Sequence, residues 1–320
     1  MNKLLLSTVS LGLILSGCNS GQGGTSTTPS AVQNAEFTPS LKVQNGIPVT
    51  NQQLNNSVPL IFTTSVNNPG MGALCTGVLL DKTTVLTASH CVLDMAAKAS
   101  GAFYAPKNVA NPGRIKIMLS MDLSKPVNFN TATPKNTRYY EVAQVYVNKA
   151  AMHGVQVLPN EGGLNIDNMS DINDLAILKL KTAVNSVLAL PQLATTNPGR
   201  HQSIVIAGYG VDVGSGVKVL DPYHGEAGVL RSAASYVVDT AGNGAVINNG
   251  GYIVNNTYTK ICQGDSGGPD FELNGGVYSL IGIHSFGDGS NCGNPSTPSS
   301  SMSVASYNSW ISGGYSNYHI

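Results

Sequence analysis

Short apolar runs recur along the chain from residue 58 onward, and each is bounded by Gly, Pro, Asn or another turn residue. Runs of this kind, with β-branched residues inside and turn residues at their ends, are typical of β-strands. The pattern predicts strands over residues 58–64, 76–81, 84–88, 115–121, 139–147, 176–180, 203–207, 229–238, 251–258 and 278–285. Such a density of short strands indicates an all-β fold of antiparallel barrels or a sandwich.

The first 18 residues follow a different pattern, in which Lys3 precedes an apolar stretch over residues 4–15. A positive charge before a short apolar segment is typical of an export signal, and the stretch is too short to remain as a membrane-spanning helix. Residues 15–18, Leu-Ser-Gly-Cys, resemble a bacterial lipoprotein cleavage box, in which Cys18 becomes the lipidated first residue. The alternative is an ordinary cleaved signal with a chance cysteine. Residues 19–42, rich in Gly, Ser, Thr and Asn, predict a flexible tether.

Composition adds two constraints. The 320 residues include 17 basic and 17 acidic ones, so the formal net charge of zero gives no electrostatic reason to expect a nucleic acid or an anionic membrane surface as partner. Hydrophobic residues make up 42% of the chain and charged residues 11%, which is enough apolar material for one large β domain or two small ones.

Three short segments carry groups suited to nucleophilic catalysis. Residues 262–269 read Cys-Gln-Gly-Asp-Ser-Gly-Gly-Pro, and the glycines around Ser266 let backbone amides converge on one point. A serine hydroxyl is too weakly acidic to attack a carbonyl unless a base takes its proton. Residues 87–91, Thr-Ala-Ser-His-Cys, supply His90 as that base, and residues 173–178, Asn-Asp-Leu-Ala-Ile-Leu, supply Asp174 as a carboxylate.

In the order His, Asp, Ser, these segments resemble the trypsin/chymotrypsin-like serine proteases over about residues 43–311. The resemblance implies a protease domain over residues 43–320, built as two six-stranded antiparallel β-barrels with a short C-terminal helix near residues 305–312. It also implies that Ser266 attacks the substrate carbonyl, that His90 transfers the proton and that Asp174 orients the ring. The amides of Gly264 and Ser266 would bind the oxyanion.

The five cysteines agree with the same resemblance. The pairs Cys75–Cys91 and Cys262–Cys292 match family disulfides in position, and an exported protein can keep them oxidised. Cys18 is then the odd cysteine, which lipidation would explain. A zinc site is the alternative for four cysteines, but no Cys-x-x-Cys spacing occurs. We expect neither a metal ion nor an organic cofactor.

Substrate recognition is expected at positions that line the family's specificity pocket and substrate strand. The expected substrate-binding residues are Lys260, His284, Ser285, Phe286, Gly287 and Ser299. Ser285 would also donate a hydrogen bond to Asp174. Lys260 at the pocket base and His284 in its wall indicate a preference for an acidic residue before the cleaved bond, because a buried carboxylate needs a cationic partner. The alternative is that Lys260 points outward and His284 only fills the wall.

Residues 42–46, Lys-Val-Gln-Asn-Gly, resemble the family's activation site. Cleavage after Lys42 would free the amine of Val43, and this ammonium would pair with Asp265 inside the protein. The pairing would order the oxyanion loop, which is the segment that carries the amides of Gly264 and Ser266. The same cut would separate the protease domain from its lipid. The alternative is an unprocessed loop.

Three other interpretations of the chain are open. Residues 264–268 also fit the G-x-S-x-G nucleophile elbow of α/β-hydrolases, but that fold needs an acid and a histidine after the serine, and only His284 and His319 follow it. A catalytically inert protease-fold module that binds partners at the cell envelope is the non-enzyme alternative, and a structural role there is a third.

The expected partners are a protein or peptide substrate and an activating protease, with membrane contact only through a lipid on Cys18. We expect a monomer held at the outer membrane or cell surface and released by cleavage. Residues 94–137, which carry many Lys, Asn and Pro and little pattern, predict extra surface loops.

Overall fold

A computed structural model describes residues 47–65, 72–97, 103–119, 139–147, 155–156, 174–185, 190–210, 229–240, 251–254, 261–262, 264–286 and 299–317. The expected export signal (residues 1–18) and tether (residues 19–42) lie outside these residues. No helix in the described ranges has both the length and the apolar character needed to cross a membrane.

The described chain is mostly β-strand, with two short helices, α1 (Gln52–Ser57) and α2 (Asn308–Ile311). In chain order the strands are β1 (Ile47–Pro48), β2 (Pro59–Thr64), β3 (Gly72–Thr76), β4 (Val78–Asp81), β5 (Thr84–Thr87), β6 (Leu93–Ala97), β7 (Phe103–Val109), β8 (Ile115–Leu119), β9 (Tyr140–Val147), β10 (Val155–Gln156), β11 (Ala176–Leu180), β12 (Gln192–Leu193), β13 (Ser203–Gly208), β14 (Arg231–Asp239), β15 (Gly251–Val254), β16 (Pro269–Asn274), β17 (Val277–Phe286) and β18 (Ser299–Ser303).

The first barrel is a sheet with the pairing order β3-β2-β8-β9-β11-β5-β4. Only Gly77 separates β3 from β4, so the two ends of this order meet in one bent strand and the sheet closes on itself. A Cβ atom at Gly77 would lie 2.7 Å from Cγ1 of Val85 on β5, which is why the bend takes a residue without a side chain. Counted with β3 and β4 as one, this barrel has six strands, as expected.

The second barrel is closed by a direct pairing. Its strands follow one another in the order β14-β13-β16-β17-β18-β15, and β15 pairs back onto β14. Two short strands attach to this ring, β1 on β14 and the parallel β12 on β17. The expected pair of six-stranded antiparallel barrels is therefore confirmed.

Strands of the first barrel bury both of their faces. On β2, Ile61 points into the barrel core, whereas Leu60 and Phe62 join the large core shared with the second barrel. On β11, Ile177 joins the shared core and Leu178 points into the first barrel. Successive side chains of a strand point to opposite faces, so a strand between two cores is apolar at nearly every position. This explains why the sequence shows continuous apolar runs.

A third sheet corrects the expectation for residues 94–137. Strands β6 and β7 form a hairpin there, and β10 pairs with β7. The sequence reads Met-Ala-Ala at residues 95–97 and Ala-Phe-Tyr-Ala at residues 102–105, with Ser-Gly between them. These short runs flank a turn signal and mark the hairpin, although Lys and Asn residues obscure the pattern. Residues 120–138 lie outside the described chain.

The other strand predictions have a mixed outcome. The predicted strands at residues 58–64, 84–88, 176–180 and 278–285 are confirmed as β2, β5, β11 and β17 within one or two residues at each end. Besides the strands of the third sheet, the pattern missed β1, β3, β12, β16 and β18. The short C-terminal helix is confirmed as α2, which begins at Asn308 and buries Trp310 and Ile311.

Candidate active site

The pairing of two strands places Asp174 beside His90. In the antiparallel pair β5–β11, Thr87 lies opposite Ala176. Two residues beyond that pair, the chain turns into a short 3₁₀ segment, Ser89–Cys91, which carries His90. On the partner strand, Asp174 lies two residues before Ala176. Segments distant in sequence are therefore brought together by strand register alone.

Asp174 accepts four hydrogen bonds. Oδ2 lies 2.7 Å from Nδ1 of His90 and 2.5 Å from Oγ of Ser285. Oδ1 lies 2.6 Å from Oγ of Ser89 and 3.0 Å from the backbone N of His90. The side chain is buried. Burial opposes its charge, but the His90 ring and the two hydroxyl donors outweigh that effect and lower the pKa of Asp174 to about 2.

These bonds fix the His90 ring in one useful state. A carboxylate can only accept, so Nδ1 of His90 carries the hydrogen and Nε2 keeps its lone pair. The His90 side chain is 36% exposed, although its Nδ1 faces the buried Asp174. Burial by itself lowers the pKa of His90, but the neighbouring Asp174 carboxylate raises it above its ordinary value of 6.5.

Ser266 lies on a loop that is fixed to both barrels. Its carbonyl oxygen accepts from the backbone N of Thr76 at 2.8 Å, and the Sγ atom of Cys91 lies 3.6 Å from the same oxygen. The next residue, Gly267, donates to the carbonyl of His284 at 2.8 Å. Within the described residues no hydrogen bond joins Ser266 Oγ to His90 Nε2. Such bonds are often long in free enzymes and shorten when substrate binds.

Two glycines give this loop a backbone shape that other residues rarely adopt. Gly264 has φ +98° and Gly267 has φ +80°, a region that residues with side chains rarely adopt. Among the described residues, the N–H groups of Gly264 and Ser266 donate to no acceptor, whereas those of Asp265, Gly267 and Gly268 all do. Two amides in one loop are thus left for an outside acceptor, such as a developing oxyanion.

Asp265 lies directly behind this loop and is fully buried. Its carboxylate accepts from the backbone N of Gly210 at 2.7 Å and of Cys262 at 2.8 Å. A Cβ atom at Gly208 would lie 2.1 Å from Asp265 Oδ1, so the carboxylate occupies the space that this glycine leaves open. Burial raises the pKa of Asp265 to about 6, although the two amides and the nearby His284 oppose the rise.

His284 is fully buried, and both of its ring nitrogens are occupied within the protein. Nδ1 lies 3.1 Å from the carbonyl oxygen of Asp265, and Nε2 lies 2.9 Å from Oδ1 of Asp270. A carbonyl oxygen can only accept and a carboxylate oxygen can also accept, so a positively charged ring with a hydrogen on each nitrogen satisfies both contacts. Burial opposes that charge, but the carboxylates of Asp270 and Asp265 raise the pKa of His284.

The other expected substrate-binding residues lie on or beyond strands β17 and β18. Ser285 is bonded to Asp174 as the resemblance implied. Phe286 ends β17 and pairs with Ser300, one residue beyond the buried Ser299. Lys260 and Gly287 lie outside the described residues. Lys42 and Val43, expected at the activation site, and Cys18, expected to carry the lipid, also lie outside them.

One expected disulfide is present, with Cys75 and Cys91 joined at an S–S distance of 2.03 Å. It ties β3 to the turn that carries His90. These two sulfurs and a His90 nitrogen lie within 4.8 Å of one another, but the disulfide leaves no thiolate for a metal ion. Cys262 is also disulfide-bonded, and its expected partner, Cys292, lies outside the described residues.

Sequence analysis did not predict three contributions to the site. They are the Ser89 hydroxyl on Asp174, the Asp270 carboxylate on His284, and the Thr76 hydroxyl, which donates to the carbonyl of Gly264 at 2.9 Å. Ser89 directly precedes His90, and Asp270 follows Ser266 by four residues. This closeness in sequence was the only signal that pointed to them. Thr76 follows Cys75 and had no comparable signal.

Comparison with known proteins gives one family. The profile of the Trypsin family matches residues 47–311. Among curated proteins, Trypsin alpha of Drosophila melanogaster is 29% identical over 159 residues, which cover 49% of this chain and 59% of that protein. Trypsin beta of Drosophila erecta is 28% identical over 159 residues, covering 49% and 60%. The matched stretch therefore spans less than two thirds of these relatives' length.

Proposed function

The chain belongs to the trypsin family, and we propose that it is a serine endopeptidase that hydrolyses peptide bonds through an acyl intermediate on Ser266. The observation that carries this proposal is the state of His90. Its Nδ1 donates to the Asp174 carboxylate, and in the described part of the chain its Nε2 has no hydrogen-bond partner. A neutral imidazole in that tautomer is the base that a serine nucleophile needs.

The proposed reaction has two halves. Ser266 Oγ attacks the peptide carbonyl while its proton moves to His90 Nε2, and the carbonyl oxygen becomes an oxyanion facing the amides of Gly264 and Ser266. The C–N bond then breaks, and the proton on Nε2 passes to the leaving amine. Water repeats these steps on the acyl group, which releases the acid and restores the Ser266 hydroxyl. The negative Asp174 stabilises the imidazolium in both halves.

We propose that the protein is made as a zymogen and activated by cleavage after Lys42. The environment of Asp265 supports this role. Its carboxylate is fully buried, and its pKa is raised to about 6, so its charge is costly within the described surroundings. The ammonium of a freed Val43 would supply a compensating positive charge directly behind the oxyanion loop.

A preference for an acidic residue before the cleaved bond depends, in this proposal, mainly on Lys260. Both ring nitrogens of His284 already have partners, and Asp270 balances its charge. His284 would therefore act on a substrate carboxylate only through its field and not by a direct hydrogen bond. A peptide library cleaved after Arg or Phe, with no cleavage after Glu or Asp, would rule the preference out.

Export and lipidation at Cys18 belong to the same proposal. The substrate would be a protein or peptide outside the cytoplasm, and cleavage after Lys42 would release a monomeric protease domain from the membrane. Mass spectrometry of the membrane-bound protein should find a lipid on Cys18. An unmodified cysteine there, or an N-terminus elsewhere, would contradict the anchor without affecting the protease.

The proposal is tested with full-length protein, before and after limited trypsin treatment, on a peptide substrate. We expect hydrolysis only after treatment, with an N-terminus that reads Val-Gln-Asn-Gly. Activity in protein that still begins at Cys18 would contradict the zymogen, and no hydrolysis in correctly processed protein would favour an inert binding module. Ser266→Ala is the matched control for contaminating trypsin.

A further inference from the structure

The hydroxyl of Thr76 lies at the junction of the two barrels, and nothing in the proposed reaction uses it. Thr76 ends strand β3 of the first barrel and is completely buried. Its Oγ1 donates to the carbonyl oxygen of Gly264 at 2.9 Å and accepts from the backbone N of Tyr209 at 3.0 Å. One hydroxyl therefore links a first-barrel strand, the oxyanion loop and the segment that contacts Asp265.

The backbone of Thr76 contacts the same loop. Its N–H donates to the carbonyl of Ser266 at 2.8 Å, and its own carbonyl accepts from Oγ1 of Thr87 at 2.8 Å. The loop thus receives two donors from one residue, on the carbonyls of Gly264 and Ser266. The peptide that carries the N–H of Ser266 lies between those two carbonyls along the chain.

These two bonds restrict the rotation that the loop would otherwise allow. Gly264 has φ +98°, and glycine passes between backbone conformations more easily than any other residue. A turn of the Gly264–Asp265 peptide would break the bond to Thr76 and leave a buried carbonyl without a partner, which is unfavourable. The hydroxyl therefore favours the loop conformation in which the Gly264 and Ser266 amides stay free.

We propose that Thr76 is a positioning residue that holds the oxyanion loop in its active shape from the opposite barrel. This inference rests on the proposed function, because it concerns the same amides. Thr76 does not touch the reacting atoms, and it acts only through the Gly264 and Ser266 backbone. The contacts lie within the described residues and do not depend on the Val43 amine.

Two matched pairs of variants test the hydroxyl in processed enzyme. Thr76→Val keeps the branched shape and loses only the hydroxyl relative to the native protein. Thr76→Ser and Thr76→Ala differ from each other only in the hydroxyl. They replace the comparison of native protein with Thr76→Val if that variant fails to fold. Thr84→Val is the control, because its buried hydroxyl donates to Asp81 at 2.7 Å, away from the loop.

Loss of an oxyanion donor lowers kcat by about 10²–10³, so a loosened loop should lower it by about tenfold to a hundredfold in Thr76→Val and Thr76→Ala. KM should change little, and the affinity for a peptide aldehyde, which mimics the tetrahedral state, should fall in parallel with kcat/KM. The apparent pKa at which kcat/KM falls at low pH should not change, since the substitution leaves His90 and Asp174 in place. Thr76→Ser should restore kcat, and Thr84→Val should leave it unchanged.

Native kcat in Thr76→Val or Thr76→Ala would overturn the inference. So would a Thr76→Ser variant as slow as Thr76→Ala, because the methyl group and not the hydroxyl would then matter. A fall in kcat without loss of aldehyde affinity would also overturn it. These outcomes leave the proposed function intact, whereas processed native protein that hydrolyses no peptide would refute the proposed function itself.

Discussion

Ser89 Oγ lies 2.6 Å from Oδ1 of Asp174, so the residue directly before the proposed base donates to the carboxylate that orients it. Ser89 is buried, and its backbone neighbour His90 donates to the same oxygen at 3.0 Å. The short turn Ser89–Cys91 therefore contributes two donors to Oδ1, in addition to the His90 ring on Oδ2. The carboxylate is held from both sides and cannot rotate without losing several bonds.

Replacing Ser89 with Ala should weaken this arrangement without abolishing activity. A hydrogen bond to a charged group contributes about 1.5–3 kcal/mol, so Ser89→Ala should lower the free energy of unfolding by about that amount at neutral pH. The remaining carboxylate charge is less stabilised and attracts the His90 proton more strongly, so the acid limb of kcat/KM should move to higher pH. Chemical denaturation and a pH–rate profile measure both effects; unchanged stability and an unchanged limb would contradict the contact.

Replacing Asp174 with Asn should have a much larger effect. An amide can donate to Nδ1, which would leave the hydrogen on Nε2 and remove the lone pair that the reaction needs. We expect kcat to fall by about 10⁴ at neutral pH, with a smaller change in KM. Steady-state kinetics on a peptide anilide, with Ser266→Ala as background, measure the loss. A variant within tenfold of native activity would show that Asp174 does not set the tautomer of His90.

Activity should depend on the neutral form of His90. Because the pKa of His90 is raised above 6.5, kcat/KM should fall as the pH drops through a midpoint above that value. The contribution of His90 to folding stability changes with pH in the opposite direction from its contribution to activity. The raised folded-state pKa adds stability that is complete below the unfolded pKa of about 6.5 and disappears as the pH rises through the folded value. A rate that is constant from pH 8 to pH 5 would contradict this role.

The buried pair of His284 and Asp270 should be important for stability. Asp270→Asn keeps an acceptor for Nε2 but removes the carboxylate charge that lies closest to the buried His284 ring, and breaking such a buried pair costs about 3–5 kcal/mol. Replacing both residues with Val should recover much of that loss, since apolar pairs of similar volume are often neutral. Thermal and denaturant unfolding of the single and double variants measure it. Native stability in Asp270→Asn would mean that His284 is not charged.

Strand prediction succeeded where both faces of a strand are buried in apolar cores. β2 and β11 lie between two cores, and their sequences are apolar at most positions. β18 was missed because it reads Ser-Ser-Ser-Met-Ser, although every residue in it is buried. Its ladder bonds to β15 and β17 hold it in the barrel, with Met302 as its one apolar side chain in the core. A barrel closes through its backbone, and side-chain pattern alone does not show this.

The site was predictable only where its chemistry is local in sequence. The segments around His90, Asp174 and Ser266 each contain a recognisable group, and their joint order indicated the triad. The role of Thr76 arises from a contact with Gly264 across 188 residues of chain, and no local pattern marks it. The charged state of His284 likewise follows from its two partners and not from its position in the sequence.

The most direct test of the central claim is to map a fluorophosphonate adduct by mass spectrometry in protein that begins at Val43. We predict one adduct per chain, on the peptide that contains Ser266, with no adduct in Ser266→Ala and much slower labelling in His90→Ala. The label requires both an activated hydroxyl and free oxyanion amides. Correctly processed, folded protein that takes up no label, or takes it up equally well without Ser266, would contradict the account.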